Sequence, residues 1–285
     1  MFNVSVPLGA PVKHLPPERN FIDRLVFANL KQLGIPPSPV CDDATFLRRV
    51  SLDIAGRLPT AAEAEAFLAS KDSAKREQLV DALLTSPDYA DFFANKWTAL
   101  LKNKRDDTKD ITANFAFHSW VRDSLLANKP YDRLVRELLA ATGTIADNPP
   151  VAWYKRVKQP TEQLEDVAQL FLGVRMQCAQ CHHHPFERWS QHDYYSMAQT
   201  ENKKTKSPVK PAGLGAPTLD IAPDDDPRLK LADWMGDKGN PFFAKSLVNR
   251  YWKHFFRRGL IEPEDDIRDT NPPSNPELLD ALAKH

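Results

Sequence analysis

The chain has 285 residues, of which 42% are hydrophobic and 27% are charged, a balance typical of a globular protein with a sizeable core. Lys and Arg together number 38 and so do Asp and Glu, so the composition gives no reason to expect binding to nucleic acid or to an anionic membrane. No apolar stretch approaches the roughly 20 residues that cross a bilayer, and three cysteines are too few for a dense disulfide framework.

Residues 1–19 are a Pro-rich segment that we expect to be extended. They lack the basic region and the apolar region of a secretion signal. At the other end, "NPELLDALAKH" predicts an amphipathic helix without a C-cap. Both ends therefore have the pattern of a fragment of a longer gene product.

Residues 20–200 are predicted to form a helical domain. Apolar residues recur there at helical spacing, for example within residues 21–33, 79–84 and 134–139. Thr60 with Glu63 predicts a capping box, and Ser86 before Pro87 predicts a second helix start. We therefore predict an all-α, multi-helical fold with two packed helical parts.

A helix is also predicted directly before the chain's cysteine pair. Thr161 is its predicted N-cap, and acidic residues occupy its early turns. One face is apolar and consists of Leu164, Val167, Leu170, Phe171 and Val174. This helix places the two cysteines at its end or just past it.

The stretch "QCAQCHHHPFERW", residues 177–189, holds two of the three cysteines and three of the eight histidines. C-x-x-C-H is the attachment signature of c-type haem. Cys178 and Cys181 would form thioethers on one edge of the porphyrin, and His182 would be the axial iron ligand. Phe186 and Trp189 would cover the ring, and His184 would make a hydrogen bond or a packing contact.

The same stretch allows a zinc site as the alternative. Cys178 and Cys181, with one or two of His182, His184 and His192, could supply four N and S ligands. Against zinc, His182 and His184 lie unusually close to Cys181 along the chain, whereas structural zinc sites normally join two separated pairs. A thioredoxin-type redox pair would need a strand before the cysteines, and the helical pattern offers none.

Residues 201–226 are predicted to be a linker because they are rich in proline and show no helical period. Residues 227–285 are predicted to be the truncated start of a second helical domain. There are three candidates for a second iron ligand: Met197 in the first part, His254 in the second, and His118 as the third choice. We favour His254, because Arg250 and Arg258 at i−4 and i+4 would share its helix face and suit haem propionates.

Four stretches together resemble one known family. They are "NFIDRLVFANLKQLGIPPSPVCDDATFLRRVSLDIAGRLPT", "WVRDSLLANKPYDRLVRELLAATG", "AQLFLGVRMQCAQCHHHPFERWSQHDYYSMA" and "NPFFAKSLVNRYWKHFFRRGLIEPEDDI". The order and the motifs resemble the paired domains of unknown function DUF1549 and the start of DUF1553, which occur in large exported proteins of planctomycete-type bacteria.

The resemblance implies a C-x-x-C-H-x-H-P-F motif at residues 178–186 and an N-R-x-W-x-H-x-F-x-R-G-L motif at residues 249–260. Arg257 stands where many members have a tighter F-G-R-G-L turn. Members commonly carry a separate cytochrome c domain, or sugar-binding and immunoglobulin-like modules, and the activity of the family is not established.

We therefore predict a c-type haem-binding, cytochrome-like module of a larger exported protein, periplasmic or extracellular, that serves electron transfer or redox chemistry. Its expected partner is a redox protein or a cytochrome c domain. The alternative is a zinc-stabilised structural or interaction domain without redox activity. No catalytic residue is predicted, because the sequence contains no G-x-S-x-G, H-E-x-x-H or P-loop motif.

Overall fold

The computed structural model describes Gly9 and residues 12–104, 110–202 and 205–285. The α-helices in these ranges are α1 (Phe21–Leu33), α2 (Asp43–Val50), α3 (Ala61–Ala69), α4 (Lys75–Leu84), α5 (Pro87–Leu100), α6 (Ile111–Leu126), α7 (Tyr131–Leu139), α8 (Pro160–Val167), α9 (Gln191–Ala198), α10 (Pro227–Gly236), α11 (Phe243–Phe256) and α12 (Pro276–Lys284).

The described ranges also contain shorter helical turns. They include the π turns Ser51–Ala55 and Ala168–Leu172 and the 3-10 turns Pro149–Lys155 and Gln177–Gln180. The described ranges contain no β-strand, only one isolated bridge between Arg268 and Asn271. The predicted all-α fold is confirmed. None of the described helices combines the length and the apolar character that a membrane span requires.

The chain divides into two compact units, and each is built from separate stretches of sequence. The first contains residues 1–40, 164–217 and 238–285, and the second contains residues 41–163 and 218–237. The domain boundaries drawn from the sequence stay a prediction. Part of the predicted linker nevertheless belongs to the first unit, where Leu214 is buried and Ala212 donates its N–H to the Ser196 carbonyl at 3.3 Å.

In the first unit, α1, α11 and α12 share one apolar cluster. Its buried members are Leu260, Ile261, Leu278 and Leu279, against which Ile22, Leu25, Val26, Val248, Trp252, Ile267 and Leu282 pack. Asn275 caps α12 by accepting the Leu278 N–H at 3.1 Å, and its amide donates to the Leu25 carbonyl at 3.2 Å. One side chain thus begins α12 and joins it to α1.

The second unit has α5 and α6 at its centre, together with α7. Their inward faces are apolar and include Phe93, Trp97, Phe117, Val121, Leu134 and Leu138. Both predicted helix starts in this unit are confirmed: Thr60 and Glu63 form a reciprocal capping box, and Ser86 caps α5 with Pro87 at its first position. These two helices therefore start where their local hydrogen bonds dictate.

The predicted N-cap of α8 was wrong. The helix begins at Pro160 rather than after Thr161. Glu162 accepts the N–H groups of Lys158 and Gln159 at 3.0 and 3.1 Å, so a carboxylate in the first turn satisfies donors that precede the helix. Because proline has no N–H to leave unsatisfied, Pro160 fits this first position.

α11 ends at Phe256 through a residue in the left-handed region. Arg257 has φ of 64°, the conformation in which helix C-caps usually have glycine. A residue with a Cβ is strained in this conformation. Arg257 therefore keeps the turn geometry of the F-G-R-G-L motif, but it stands where glycine would be the most favourable residue.

We expect Arg257→Gly to increase the free energy of unfolding by about 1 kcal/mol, because glycine adopts positive φ without the steric cost. Urea unfolding measures the change. Arg258→Gly is the matched control, since Arg258 is also exposed but does not have positive φ. An equal gain at both positions would contradict the conformational explanation.

Candidate cofactor site

The C-x-x-C-H motif forms one tight turn in the first unit. Cys178 lies in the 3-10 turn Gln177–Gln180, and its carbonyl accepts the N–H groups of Cys181 and His182 at 3.4 and 3.3 Å. In 3-10 geometry, side chains at i and i+3 eclipse each other. Cys178 and Cys181 therefore lie on the same side of the turn, and both thiols are free and exposed.

The turn is fastened to α9 by its inner residues. Ala179 is fully buried, and the Gln180 carbonyl accepts two hydrogen bonds, one from the Tyr195 hydroxyl and one from the Gln191 amide, both at 3.1 Å. Tyr195 is 1% exposed. The two residues between the cysteines thus anchor the turn to the core and leave the thiols outside.

His182 has a defined tautomer in its neutral form. Its Nδ1 lies 2.6 Å from the backbone carbonyl of His183. A carbonyl oxygen can only accept, so Nδ1 must carry the proton. Nε2 then holds the lone pair on an exposed ring, the state in which an imidazole binds iron or zinc.

His184 has the opposite tautomer. Its Nδ1 accepts the backbone N–H of Phe186 at 3.3 Å, so Nδ1 must be unprotonated and a neutral ring carries its proton on Nε2. The backbone N–H of His184 donates to the Trp189 carbonyl at 2.8 Å. His184 therefore shapes the loop 184–189, and its ring nitrogens are not arranged as those of a ligand.

A preformed zinc cage is not found in the described ranges. No three His, Cys, Asp or Glu side chains there come together in a metal-binding arrangement. The predicted zinc ligands therefore lie in one loop, but their donor atoms do not form a tetrahedral arrangement. These ligands are Cys178, Cys181, His182 and His184. His192 is exposed in the first turn of α9, two residues after its N-cap Ser190.

The two predicted aromatic residues have different environments. Trp189 is 4% exposed and packs edge-on against Phe242, with ring centres 6.1 Å apart. Phe186 is 67% exposed. It lines an open cleft with Pro185 and with Arg188, Arg268 and Thr270. Only Phe186 presents an aromatic surface for a ligand, whereas Trp189 belongs to the core.

A hydrogen-bond network that the sequence did not reveal supports the segment before the cysteines. The Asp265 carboxylate accepts from Arg175 at 2.6 Å and from the Gln169 amide at 2.5 Å. The Gln169 oxygen in turn accepts from the Gln177 amide at 3.1 Å. Since Gln177 is the first residue of the cysteine-bearing turn, Asp265 is connected to that turn through two side chains.

The backbone makes a second junction at the same place. The Gly173 carbonyl accepts the Ile267 N–H at 2.7 Å, and Gly173 has φ of 67°. A side chain at this φ would be strained, and a Cβ would lie 2.8 Å from the end of the Ile267 side chain, so this position favours glycine. The π turn Ala168–Leu172 ends at this glycine and directs the chain toward Cys178.

The two predicted propionate ligands are not equivalent. Arg250 is largely buried, donates to the Leu170 carbonyl at 3.5 Å and lies 3.8 Å from the Glu264 carboxylate. Arg258 is exposed and lies beyond the end of α11. The expectation that Arg258 shares a helix face with His254 was therefore wrong, because the left-handed Arg257 ends the helix before the i+4 position.

The candidates for a second iron ligand also differ in their surroundings. Met197 is 3% exposed within a buried stretch of α9, and His254 is half-buried on α11, its ring 4.9 Å from that of Phe255. His118, on α6 of the second unit, has its Nε2 3.0 Å from the Asn95 side-chain oxygen. That contact occupies one of the two ring nitrogens that could bind a metal.

The fold and the site define an all-helical protein with an exposed C-x-x-C-H turn. Residues 21–205 match the family described as PSCyt2, protein of unknown function (DUF1549), and residues 227–285 match PSD1, protein of unknown function (DUF1553). The chain belongs to the DUF1549 family and continues into a DUF1553 region, as the resemblance predicted. No curated protein and no solved structure matches it.

The Asp265 network has a definite pH dependence. Burial would raise the pKa of Asp265, but the hydrogen bonds from Arg175 and Gln169 outweigh burial and hold the pKa below its usual value. Because the pKa is lower in the folded protein, this carboxylate contributes stability above its unfolded pKa of about 3.9. The contribution is lost as the pH falls through the folded pKa.

We expect Asp265→Asn to lower the free energy of unfolding at pH 7 by about 2 kcal/mol, as for the loss of a charged hydrogen-bond acceptor. At pH 3 the difference from the parent becomes smaller. Urea unfolding at both pH values measures this, with the exposed Asp269→Asn as control. A loss of the same size at pH 3 and pH 7 would show that the charge of Asp265 is not involved.

Proposed function

We propose that this chain is a c-type haem-binding module of a larger exported protein, serving electron transfer or another redox reaction. One observation carries the proposal: a single exposed turn presents two free thiols on one side, followed by a histidine whose Nδ1 donates to a backbone carbonyl. This arrangement leaves Nε2 available to an iron ion.

Each residue of the turn has a distinct task in this proposal. Cys178 and Cys181 would form the thioethers, and His182 would hold the iron through Nε2. Haem, when bound, would supply the one-electron chemistry. His184 keeps the loop 184–189 folded through its two hydrogen bonds.

Residues 164–217 and 238–285 form one compact unit, which supports His254 as the second iron ligand. The cysteine-bearing turn and α11 therefore belong to the same unit. A histidine on α11 can bind an iron ion held at the turn only if this condition is met. Met197 is the second choice, because its thioether would have to leave a buried stretch of α9. Either ligand would make an electron-transfer site.

The proposed setting is the periplasm or the cell exterior, because haem attachment to thiols takes place in exported proteins. The expected partner is a redox protein or a cytochrome c domain. The zinc alternative lacks a supporting observation, since the described donors do not converge and His184 uses Nδ1 for its own loop. It serves below as the competing outcome.

The test is expression with an export signal in a host that attaches haem to C-x-x-C-H motifs. We expect a Soret band and a covalent haem that survives acid-acetone extraction in the intact mass. Cys178→Ala and Cys181→Ala should each remove a thioether, whereas Cys41→Ala should not, because Cys41 is equally exposed but lies outside the motif. Exported protein with stoichiometric zinc and no Soret band would reject the proposal.

His184→Ala separates the two cofactors. Because the His184 ring accepts a loop N–H rather than presenting a lone pair, we expect the variant to attach haem in near-normal yield. Haem content per chain and zinc content by elemental analysis are the measurements. A parent chain that binds zinc but no haem, together with a His184→Ala variant that no longer binds zinc, would instead favour the zinc site.

A further inference from the structure

A cleft of about 660 Å³ in the first unit begins three residues after His182. One wall is formed by residues 185–188 and the other by residues 268–270. The Thr270 hydroxyl links the walls through contacts with the Phe186 carbonyl at 3.5 Å and the Glu187 carboxylate at 3.1 Å. The volume lies within the usual range of about 300–1,000 Å³ for small-molecule sites.

Part of the wall 185–188 is apolar. Phe186 is 67% exposed, and Pro185 beside it is also exposed. An exposed aromatic ring at the edge of a cleft offers contact area to an apolar ligand. Phe186 therefore offers a flat apolar contact without a partner ring, since the neighbouring Trp189 faces the core.

Two arginines provide cationic donors in the same cleft. The Arg188 guanidinium stacks on the Trp189 ring at 4.6 Å, which fixes its orientation, and no carboxylate in the described ranges pairs with it. Arg268 pairs with Asp266 through one terminal nitrogen at 3.2 Å. The Nε of Arg268 is buried without a hydrogen-bond partner, so only its terminal nitrogens can meet a carboxylate group, whereas the Arg188 side chain is exposed.

Two acidic residues, Glu187 and Asp269, also line the cleft, so its formal charge is zero. A small inorganic anion would gain little from such a cleft. A ligand gains binding energy there only if it places an apolar plane against Phe186 and carboxylates against the arginines. Three residues of chain span at most about 11 Å, so a porphyrin bound to His182 can reach the cleft.

We propose that this cleft receives the carboxylate-bearing edge of the porphyrin, with Arg188 and Arg268 pairing with its two propionates and Phe186 covering its apolar part. The assignment rests on the proposed haem function. Arg188 and Arg268 thereby take the propionate-binding role that the sequence suggested for Arg250 and Arg258. Arg250 contacts Leu170 and Glu264, and Arg258 lies beyond the end of α11. Arg188 and Arg268 are thus binding residues that the sequence did not indicate.

The test compares ferric haem with its dimethyl ester, which has the same ring but no carboxylates. Each is titrated by absorbance into the Cys178→Ala/Cys181→Ala chain, in which binding cannot become covalent. We expect the free acid to bind about tenfold more tightly than the ester. Arg188→Gln and Arg268→Gln should each weaken the free acid about fivefold and leave the ester within about twofold.

Arg24→Gln is the matched control, since Arg24 is an exposed arginine on α1 outside the cleft, and it should change neither affinity. Equal affinity for acid and ester, equal weakening of both ligands by the arginine variants, or no binding of either ligand would overturn the inference. Covalent attachment is measured separately, so a chain that gains covalent haem but fails this comparison keeps the proposed function and loses the propionate site.

Discussion

The candidate site depends on the junction between the segment before Cys178 and the segment around Asp265. The half-buried Asp265 carboxylate accepts hydrogen bonds from two side chains, and Gly173 and Ile267 join the two backbones at the same place. The chain from Gly173 to Met176 has no regular secondary structure of its own. No helix or strand in this segment holds the cysteine-bearing turn in place after the π turn, so its position depends on the junction.

This junction gives a physical reason why parts of the two family regions share one compact unit. Asp265 and Ile267 lie in the DUF1553 region, and the residues they contact lie in the DUF1549 region. The second region also provides α11, whose Asn249 holds the following loop by exchanging hydrogen bonds with the Ile261 backbone at 2.9 Å in both directions. The motif residue Asn249 is therefore explained by loop geometry, which in turn places Asp265.

The sequence predicted the features that depend on neighbouring residues. Capping at Thr60 and Ser86 involves only contacts within a few positions, so its pattern is visible in a single sequence. The C-x-x-C-H turn was recognised for the same reason. Asp265 was missed, because its partners lie 90 and 96 positions away and its own surroundings have no distinctive pattern.

The errors have a similar origin. The i+4 relation between His254 and Arg258 assumed that the helix continued, but an arginine in a glycine conformation ended it. Nothing in the periodic pattern distinguishes such a residue from one in a helix. The cleft arginines were overlooked because Arg188 and Arg268 are 80 positions apart and are brought to one cleft only by the folded unit.

The exposure of the turn separates the two cofactor chemistries. A structural zinc ion is held by four donors in a closed tetrahedron, and the cage forms as the protein folds around it. Here the core packing ends at Ala179 and Tyr195, and the thiols and the His182 ring lie outside it. Covalent bonds can retain a cofactor on such a surface without a preformed cage. Thioether formation needs thiols that a reactant can reach, and both thiols of this turn are exposed.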